Sequence, residues 1–202
     1  EGKKMKMFLQ LGLILLAFCM VATALLAYVN SFTKPRIEAI KLKEAADARN
    51  ELIPDSEFEE ITGDLSYYIA RDKTTKEIKG YTFTAEQIGY GGPVKTMAAV
   101  DKDFKIISIK VIQQTETPGL GTNATLPKFT DQFKGKTLDQ LTVDKDGGVP
   151  PNAIKALTGA TITTRAVANA VKASIDKLRA SVSQSPETAA LSDSTAALEV
   201  AK

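Results

Sequence analysis

The chain has 202 residues, enough for one domain with appendages, and its 26 basic and 24 acidic residues leave a formal net charge of +2. The basic residues are scattered among acidic ones, which is the pattern of a solvated surface and not of a nucleic-acid-binding stripe. There is no His and no Trp, and the single cysteine, Cys19, can form no internal disulfide, so His-dependent hydrolysis, His-ligated metals and Cys-ligated clusters are set aside. Any redox or transfer chemistry must come from a bound organic cofactor or a partner. No catalytic residue and no metal ligand is assigned.

Lys3, Lys4 and Lys6 precede an uncharged run from Met7 to about Thr33, rich in Leu, Ala, Ile, Val and Phe. About 20 such residues cross a bilayer, so the run predicts one transmembrane helix. Ala22-Thr23-Ala24 fits a signal-peptidase pattern but sits mid-run, and an uncleaved anchor is the expectation. Tyr28 and Phe32 suit an interface at its far end. Lys34, Arg36, Lys41 and Lys43 outnumber the lysines before the run, so the positive-inside count leaves the orientation open. Pro35 suits the first turn of a second helix extending to about Leu52 and ended by Pro54.

Strand signals follow at 67–70, 81–84, 96–100 and 106–111, each β-branched or aromatic-rich. The turn clusters at 72–75, 89–93 and 101–103 are of hairpin length, which predicts an antiparallel sheet. After about Thr122 the pattern is loop and short helix. A last amphipathic helix then carries Ala166, Val167, Ala170, Val171, Ile175 and Leu178 on one face. The fold class expected is α+β: a single N-terminal transmembrane helix, then an antiparallel-sheet domain with flanking helices. The expected organisation is an anchor at 1–33, a helical connector at 34–54, a domain at 55–180 and a disordered tail at 181–202.

Two segments stand out. Thr158-Gly159-Ala160-Thr161-Ile162-Thr163-Thr164 crowds four hydroxyls around a glycine turn immediately before the last helix. Unpaired N–H groups and the macrodipole at such a helix start favour an anion, and Arg165 would add positive charge. The simpler account is that Thr161 or Thr163 caps the helix, and local chemistry alone favours it. The second segment is Glu116-Thr117-Pro118-Gly119-Leu120-Gly121, a rigid turn presenting a leucine between two glycines. It reads either as an ordinary loop leaving a strand or as backbone closely approaching a planar ligand. Gly89-Tyr90-Gly91-Gly92-Pro93 is similar in kind, and a hairpin loop accounts for it. No strand-turn-helix unit surrounds it, so it is not a dinucleotide fingerprint.

Taken together, residues 80–100, 110–121 and 158–167 resemble the FMN-binding domain of the G subunit of Rnf electron transport complexes, with the C subunit of the sodium-pumping NADH:quinone reductase as the nearest related family. The resemblance implies FMN attached covalently, one per chain, through its phosphate to the last Thr of a Ser/Thr-Gly-Ala-Thr motif. Carried over, the acceptor is Thr161, with Thr158, Gly159 and Ala160 as the recognition turn. Thr163, Glu116, Thr117, Gly119 and Leu120 complete the cofactor-binding set, and Gly91 and Gly92 are candidate contacts. It further implies a separate Mg-dependent flavin transferase using FAD. The function implied is electron relay within a membrane complex coupling ferredoxin oxidation to NAD+ reduction and to Na+ or H+ transport, with no independent catalytic centre. Other membrane subunits would be the partners, and the flavin domain would lie outside the cytoplasmic membrane of a bacterium or archaeon. The family usually has an Asp three residues before the first motif hydroxyl, where this chain has Lys155. The alternatives are the quinone-reductase counterpart and an anchored structural or binding module without covalent flavin.

Overall fold

The computed structural model describes residues 2–63, 65–147 and 152–184. The chain divides into two compact units, one ending at Ala46 and one beginning at Asp47. The expected tail from 185 onward lies outside the described residues, and residues 181–184 belong to the last helix.

The first unit is helical throughout its described length, within the helix α1, Gly2–Leu52. It is the one helix among the described residues long and apolar enough to cross a membrane. Its large apolar side chains, from Phe8 and Leu9 through Leu26 to Phe32, are all exposed, as lipid-facing side chains would be. The second helix expected to start at Pro35 is not separate, because Pro35 lies inside α1. Pro35 has no amide hydrogen to donate to the carbonyl four residues back, and the helix continues through it with that one bond missing. Just before it, the Ser31 hydroxyl donates to the Tyr28 carbonyl at 2.8 Å and the Thr33 hydroxyl to the Val29 carbonyl at 2.8 Å.

The second unit holds a five-stranded antiparallel meander: β1 Ser56–Ile61, β2 Tyr67–Asp72, β3 Ile78–Ile88, β4 Pro93–Val100 and β5 Ile106–Gln113, in that spatial order. β1 carries no apolar run to announce it; Glu57, Glu59 and Glu60 make it a charged edge strand, a composition that resists edge-to-edge association. The central strands carry the buried core of the sheet, with Tyr81, Phe83 and Ala85 of β3 and Met97 to Val100 of β4 buried. The last helix, Thr161–Gln184, packs on those two strands. It is labelled α3, after the one-turn helix α2, Pro127–Thr130, that holds Phe129 in the core. The predicted apolar face of α3 is the buried one, with Val171, Ile175 and Leu178 fully enclosed.

Two connections shape the region that matters for function. Between β5 and α2 the chain makes a short 3₁₀ turn at Gly121–Thr125. Before α3, a parallel bridge joins Val143 to Ile154, with the Ile154 amide donating to the Thr142 carbonyl at 2.7 Å. This bridge fixes where the chain enters the 158–161 turn.

Truncating Leu178 to Ala should destabilise the domain by about 2–5 kcal/mol, read from chemical denaturation of the detergent-solubilised chain, because the cavity is enclosed by sheet and helix. The hairpin joining β2 and β3 carries a pH dependence. The Lys79 ammonium lies 2.8 Å from the Asp72 carboxylate, and the Thr74 and Thr75 amides also donate to it; together they hold Asp72 well below the usual carboxylate range. A depressed folded-state pKa stabilises above the unfolded value of 3.8 and is lost as pH falls below it. Asp72→Asn should therefore flatten the acid limb of the stability profile, and carboxyl NMR should show Asp72 titrating below the other aspartates.

Candidate functional site

The site is assembled from three turns, and each takes its shape from local chemistry. In the first, between β3 and β4, the Gly89 amide donates to the Gly92 carbonyl at 2.8 Å. A Cβ on Gly89 would lie 2.2 Å from Glu116 Oε1, and one on Gly91 would lie 2.3 Å from the Thr115 carbonyl oxygen. Only glycine allows the hairpin tip to close on the 115–116 backbone at these two positions.

The second turn follows β5. The Leu120 amide donates to the Thr117 carbonyl at 3.1 Å, with Pro118 at the second position and Gly119 at φ +76° at the third. These are the features of a type II turn. The Thr122 hydroxyl accepts from the Gly119 amide at 2.9 Å and the Asn123 side chain donates to the Gly119 carbonyl at 2.8 Å, bracing the turn from behind.

The third turn repeats the design. The Ala160 amide donates to the Leu157 carbonyl at 2.9 Å, and Gly159 sits at φ +74° in the third position. The Thr164 hydroxyl accepts from the Leu157 amide and donates to the Ala160 carbonyl, each at 3.0 Å, which locks the turn onto the first turn of α3. A Cβ on Gly159 would lie 3.1 Å from Leu120 Cδ2, so the second and third turns are in near contact through a leucine and a glycine.

Glu116 joins all three. Its Oε1 accepts from the Tyr90 amide at 2.9 Å and the Gly91 amide at 3.2 Å, and its Oε2 accepts from the Thr163 hydroxyl at 2.9 Å. It is 6% exposed. Gly121 leaves room for this carboxylate, since a Cβ there would fall within 2.8 Å of Glu116 Oε2, Glu116 Cβ and Thr163 Oγ1.

The four hydroxyls therefore divide. Thr163 and Thr164 are buried and engaged, by Glu116 and by the 157–160 turn. Thr158 is exposed and Thr161 half-buried, and neither hydroxyl has a partner among the described residues. No threonine hydroxyl caps the first turn of α3 among the described residues, and the amides of Thr161, Ile162 and Thr163 meet no described acceptor. Three N–H donors, the positive end of a 24-residue helix and a free hydroxyl are thus presented together.

They open on a cavity of about 580 Å³ lined by Tyr90, Glu116, Thr117, Leu120, Gly121 and residues 159–163. Thr161, Thr163, Gly159, Ala160, Glu116, Thr117 and Leu120 thus come together as the sequence suggested. Thr158 and Gly119 instead line an adjacent cleft of about 860 Å³, which shares Leu120 with the first cavity and includes Lys128 and Lys155. Arg165 does not serve the helix start: its guanidinium pairs with Asp146, with Nη2 at 2.7 Å and Nε at 2.8 Å from Oδ1, and it does not line the cavity. Arg165 lies four residues into α3, and its side chain is taken up by Asp146, a tertiary pairing that sequence spacing alone does not convey. Tyr90 joins the cavity although its segment reads as a plain hairpin loop; the available signal is that it is the lone side chain among four glycine and proline neighbours. Among the described residues no group of three or more His, Cys, Asp or Glu is placed to hold a metal.

The donor set fits a flavin phosphate. Unpaired amides and a free hydroxyl meet the phosphate end, and an apolar, glycine-floored recess can take a flat ring. The arrangement depends on Glu116. Glu116→Ala would leave two amides and a hydroxyl without their acceptor, at a cost of about 2–4 kcal/mol, and would open the Tyr90 and Gly91 amides to hydrogen exchange. Gly121→Ala should cost about 1–3 kcal/mol by overcrowding the same carboxylate. Native-state exchange and denaturant midpoints check both.

Comparison with known proteins finds relatives for both parts of the chain. Residues 89–176 match the family described as FMN-binding domain, and residues 4–52 match the RnfG N-terminal region. The chain is 37% identical over 161 residues to the G subunit of the proton-translocating ferredoxin:NAD(+) oxidoreductase complex of Clostridium ljungdahlii, covering 79% of this chain and 85% of that one. It is 34% identical over 191 residues to the G subunit of the Na(+)-translocating ferredoxin:NAD(+) oxidoreductase complex of Acetobacterium woodii, covering 84% and 91%. The C subunit of the Na(+)-translocating NADH-quinone reductase of Parabacteroides distasonis, a solved structure, matches with a TM-score of 0.49 and 25% identity over 66% of this chain and 79% of that one. With an FMN-binding domain behind an RnfG-type N-terminal helix, the chain belongs to the RnfG family, the G subunits of ion-translocating Rnf oxidoreductase complexes.

Proposed function

We propose that this chain is the membrane-anchored flavoprotein component of an ion-translocating ferredoxin:NAD+ oxidoreductase, and that Thr161 carries FMN as a phosphate ester. The observation that carries the assignment is the free Thr161 hydroxyl on the first residue of α3, beside three amides without described acceptors. Of the two uncommitted hydroxyls, Thr161 alone lines the cavity that also contains Leu120 and the helix start. An ester phosphate there gains roughly 0.3–1 kcal/mol or more from the helix terminus.

The chain cannot make this bond unaided. A threonine hydroxyl is a weak nucleophile, the chain has no His, and the Glu116 carboxylate is already taken up by Thr163, Tyr90 and Gly91. An external flavin transferase would supply the base and the metal. The Thr161 oxygen would bond to the FMN phosphorus of FAD, the pyrophosphate bond would break, and AMP would leave. Lys155 does not distort the acceptor turn, because its amide, donating to Gln132 Oε1 at 2.8 Å, does the local structural work while its side chain is exposed.

A bound flavin supplies the one-electron and two-electron chemistry that no side chain of this protein offers. The residues hold it: the 158–161 turn and α3 fix the phosphate, and Leu120 closes one side of the recess. A tether makes occupancy independent of free flavin, which suits a domain on the extracytoplasmic side of the membrane. Helix α1 supports the role of single-pass anchor, keeping the flavin beside the other membrane subunits.

The test is denaturing electrophoresis under ultraviolet light after co-expression with a flavin transferase. The wild type and Thr161→Ser should fluoresce, Thr158→Ala should remain labelled, and Thr161→Ala should be dark yet folded. Intact mass should rise by one FMN less water. A dark wild type from its own host refutes covalent attachment.

A further inference from the structure

We propose that Tyr90 is the aromatic wall of the flavin recess, its phenol ring lying against the isoalloxazine and quenching its emission; this rests on the attachment at Thr161. The hairpin tip is built so that this is the one side chain it can offer. Gly89 and Gly91 flank it, and a Cβ on either would strike Glu116 or Thr115 within 2.3 Å. The Tyr90 amide is meanwhile fixed to Glu116 Oε1, the carboxylate that also holds Thr163 in the first turn of α3. Tyr90 is thus referenced directly to the helix start that carries Thr161, yet its side chain is 73% exposed and lines the cavity.

The company it keeps points to a flat apolar ligand. Among the described residues outside α1, the exposed large apolar side chains are Ile88, Tyr90, Leu120, Leu126 and Ile162. Ile88, Tyr90, Leu120 and Ile162 sit on the three turns joined by Glu116 or directly beside them, and Leu126 lines the adjacent cleft. Tyr90, Leu120 and Ile162 line the cavity itself. Apolar surface gathered at one mouth marks a binding site, whereas scattered exposure would not. Tyr90 is also the one aromatic residue in that lining.

An electron-rich phenol in van der Waals contact with a photoexcited flavin gives it one electron, which returns as the pair relaxes, so emission is lost without net chemistry. Phenylalanine stacks equally well but is too poor a donor to do this. The chain suits the measurement because it has no Trp and five Tyr. Tyr67 and Tyr81 are buried in the sheet, Tyr28 is in α1, and Tyr68 lies under the Arg49 guanidinium at 4.0 Å.

The experiment uses the full flavin-loaded chain in detergent and compares native with denatured emission per bound flavin. Wild-type emission should rise on denaturation. Tyr90→Phe and Tyr90→Leu should raise native emission at least about threefold with equal labelling, whereas Tyr68→Phe should change nothing. Labelled Tyr90→Phe and Tyr90→Leu proteins with wild-type native emission would overturn the assignment of Tyr90 alone. A wild type carrying no flavin on the denaturing gel would overturn both the attachment and the wall.

Discussion

A single buried carboxylate organises the candidate site. Glu116 is the one charged residue among the buried side chains described, and burying such a group is costly unless donors replace its water. The replacements come from two places distant in sequence: two backbone amides of the β3–β4 tip and the hydroxyl of Thr163 in α3. Satisfying the carboxylate therefore requires hairpin, post-β5 turn and helix to be brought together. Gly89, Gly91 and Gly121 are the steric counterpart, since a methyl group at Gly89 or Gly121 would strike the carboxylate and one at Gly91 would strike the Thr115 carbonyl.

That constraint decides which hydroxyls remain available. A turn containing four threonines offers four chemically similar oxygens, and the fold commits two of them. Thr163 goes to Glu116 and Thr164 ties its own turn shut. Committing Thr163 and Thr164 to tertiary contacts leaves the first-turn amides uncapped by any described hydroxyl, the opposite of what a threonine-rich helix start usually means. The uncapped start is stabilised by packing farther along α3, where Val171, Ile175 and Leu178 are enclosed against β3 and β4.

Charge follows the same division. Arg165 is drawn to Asp146 and does not line the cavity, whose polar lining is amide dipoles, hydroxyls and the buried Glu116 carboxylate. The tethered diester proposed for Thr161 would carry one negative charge, which a helix start would meet without an added side-chain cation. The two type II turns flanking the recess, each with glycine at its third position, keep Leu120 and Gly159 within near contact.

Much of this was legible in the sequence for reasons of periodicity and turn chemistry. The apolar run of α1, the β-branched and aromatic runs of the strands, the 3.6-residue stripe of α3 and the Pro-Gly and Thr-Gly turns are all local properties, written in adjacent residues. The charged edge strand β1 was not legible, because pairing and not composition makes it a strand. The continuation of α1 through Pro35 was hidden as well, since a proline usually marks a start or a break in a helix. The sequence by itself determined which residues could take part in the site, including Thr161, Glu116 and Leu120. Only the tertiary structure decided which threonine is free, that Arg165 faces Asp146, and that Tyr90 joins the recess. These outcomes depend on hydrogen bonds between residues 19 to 47 positions apart, which no local pattern encodes.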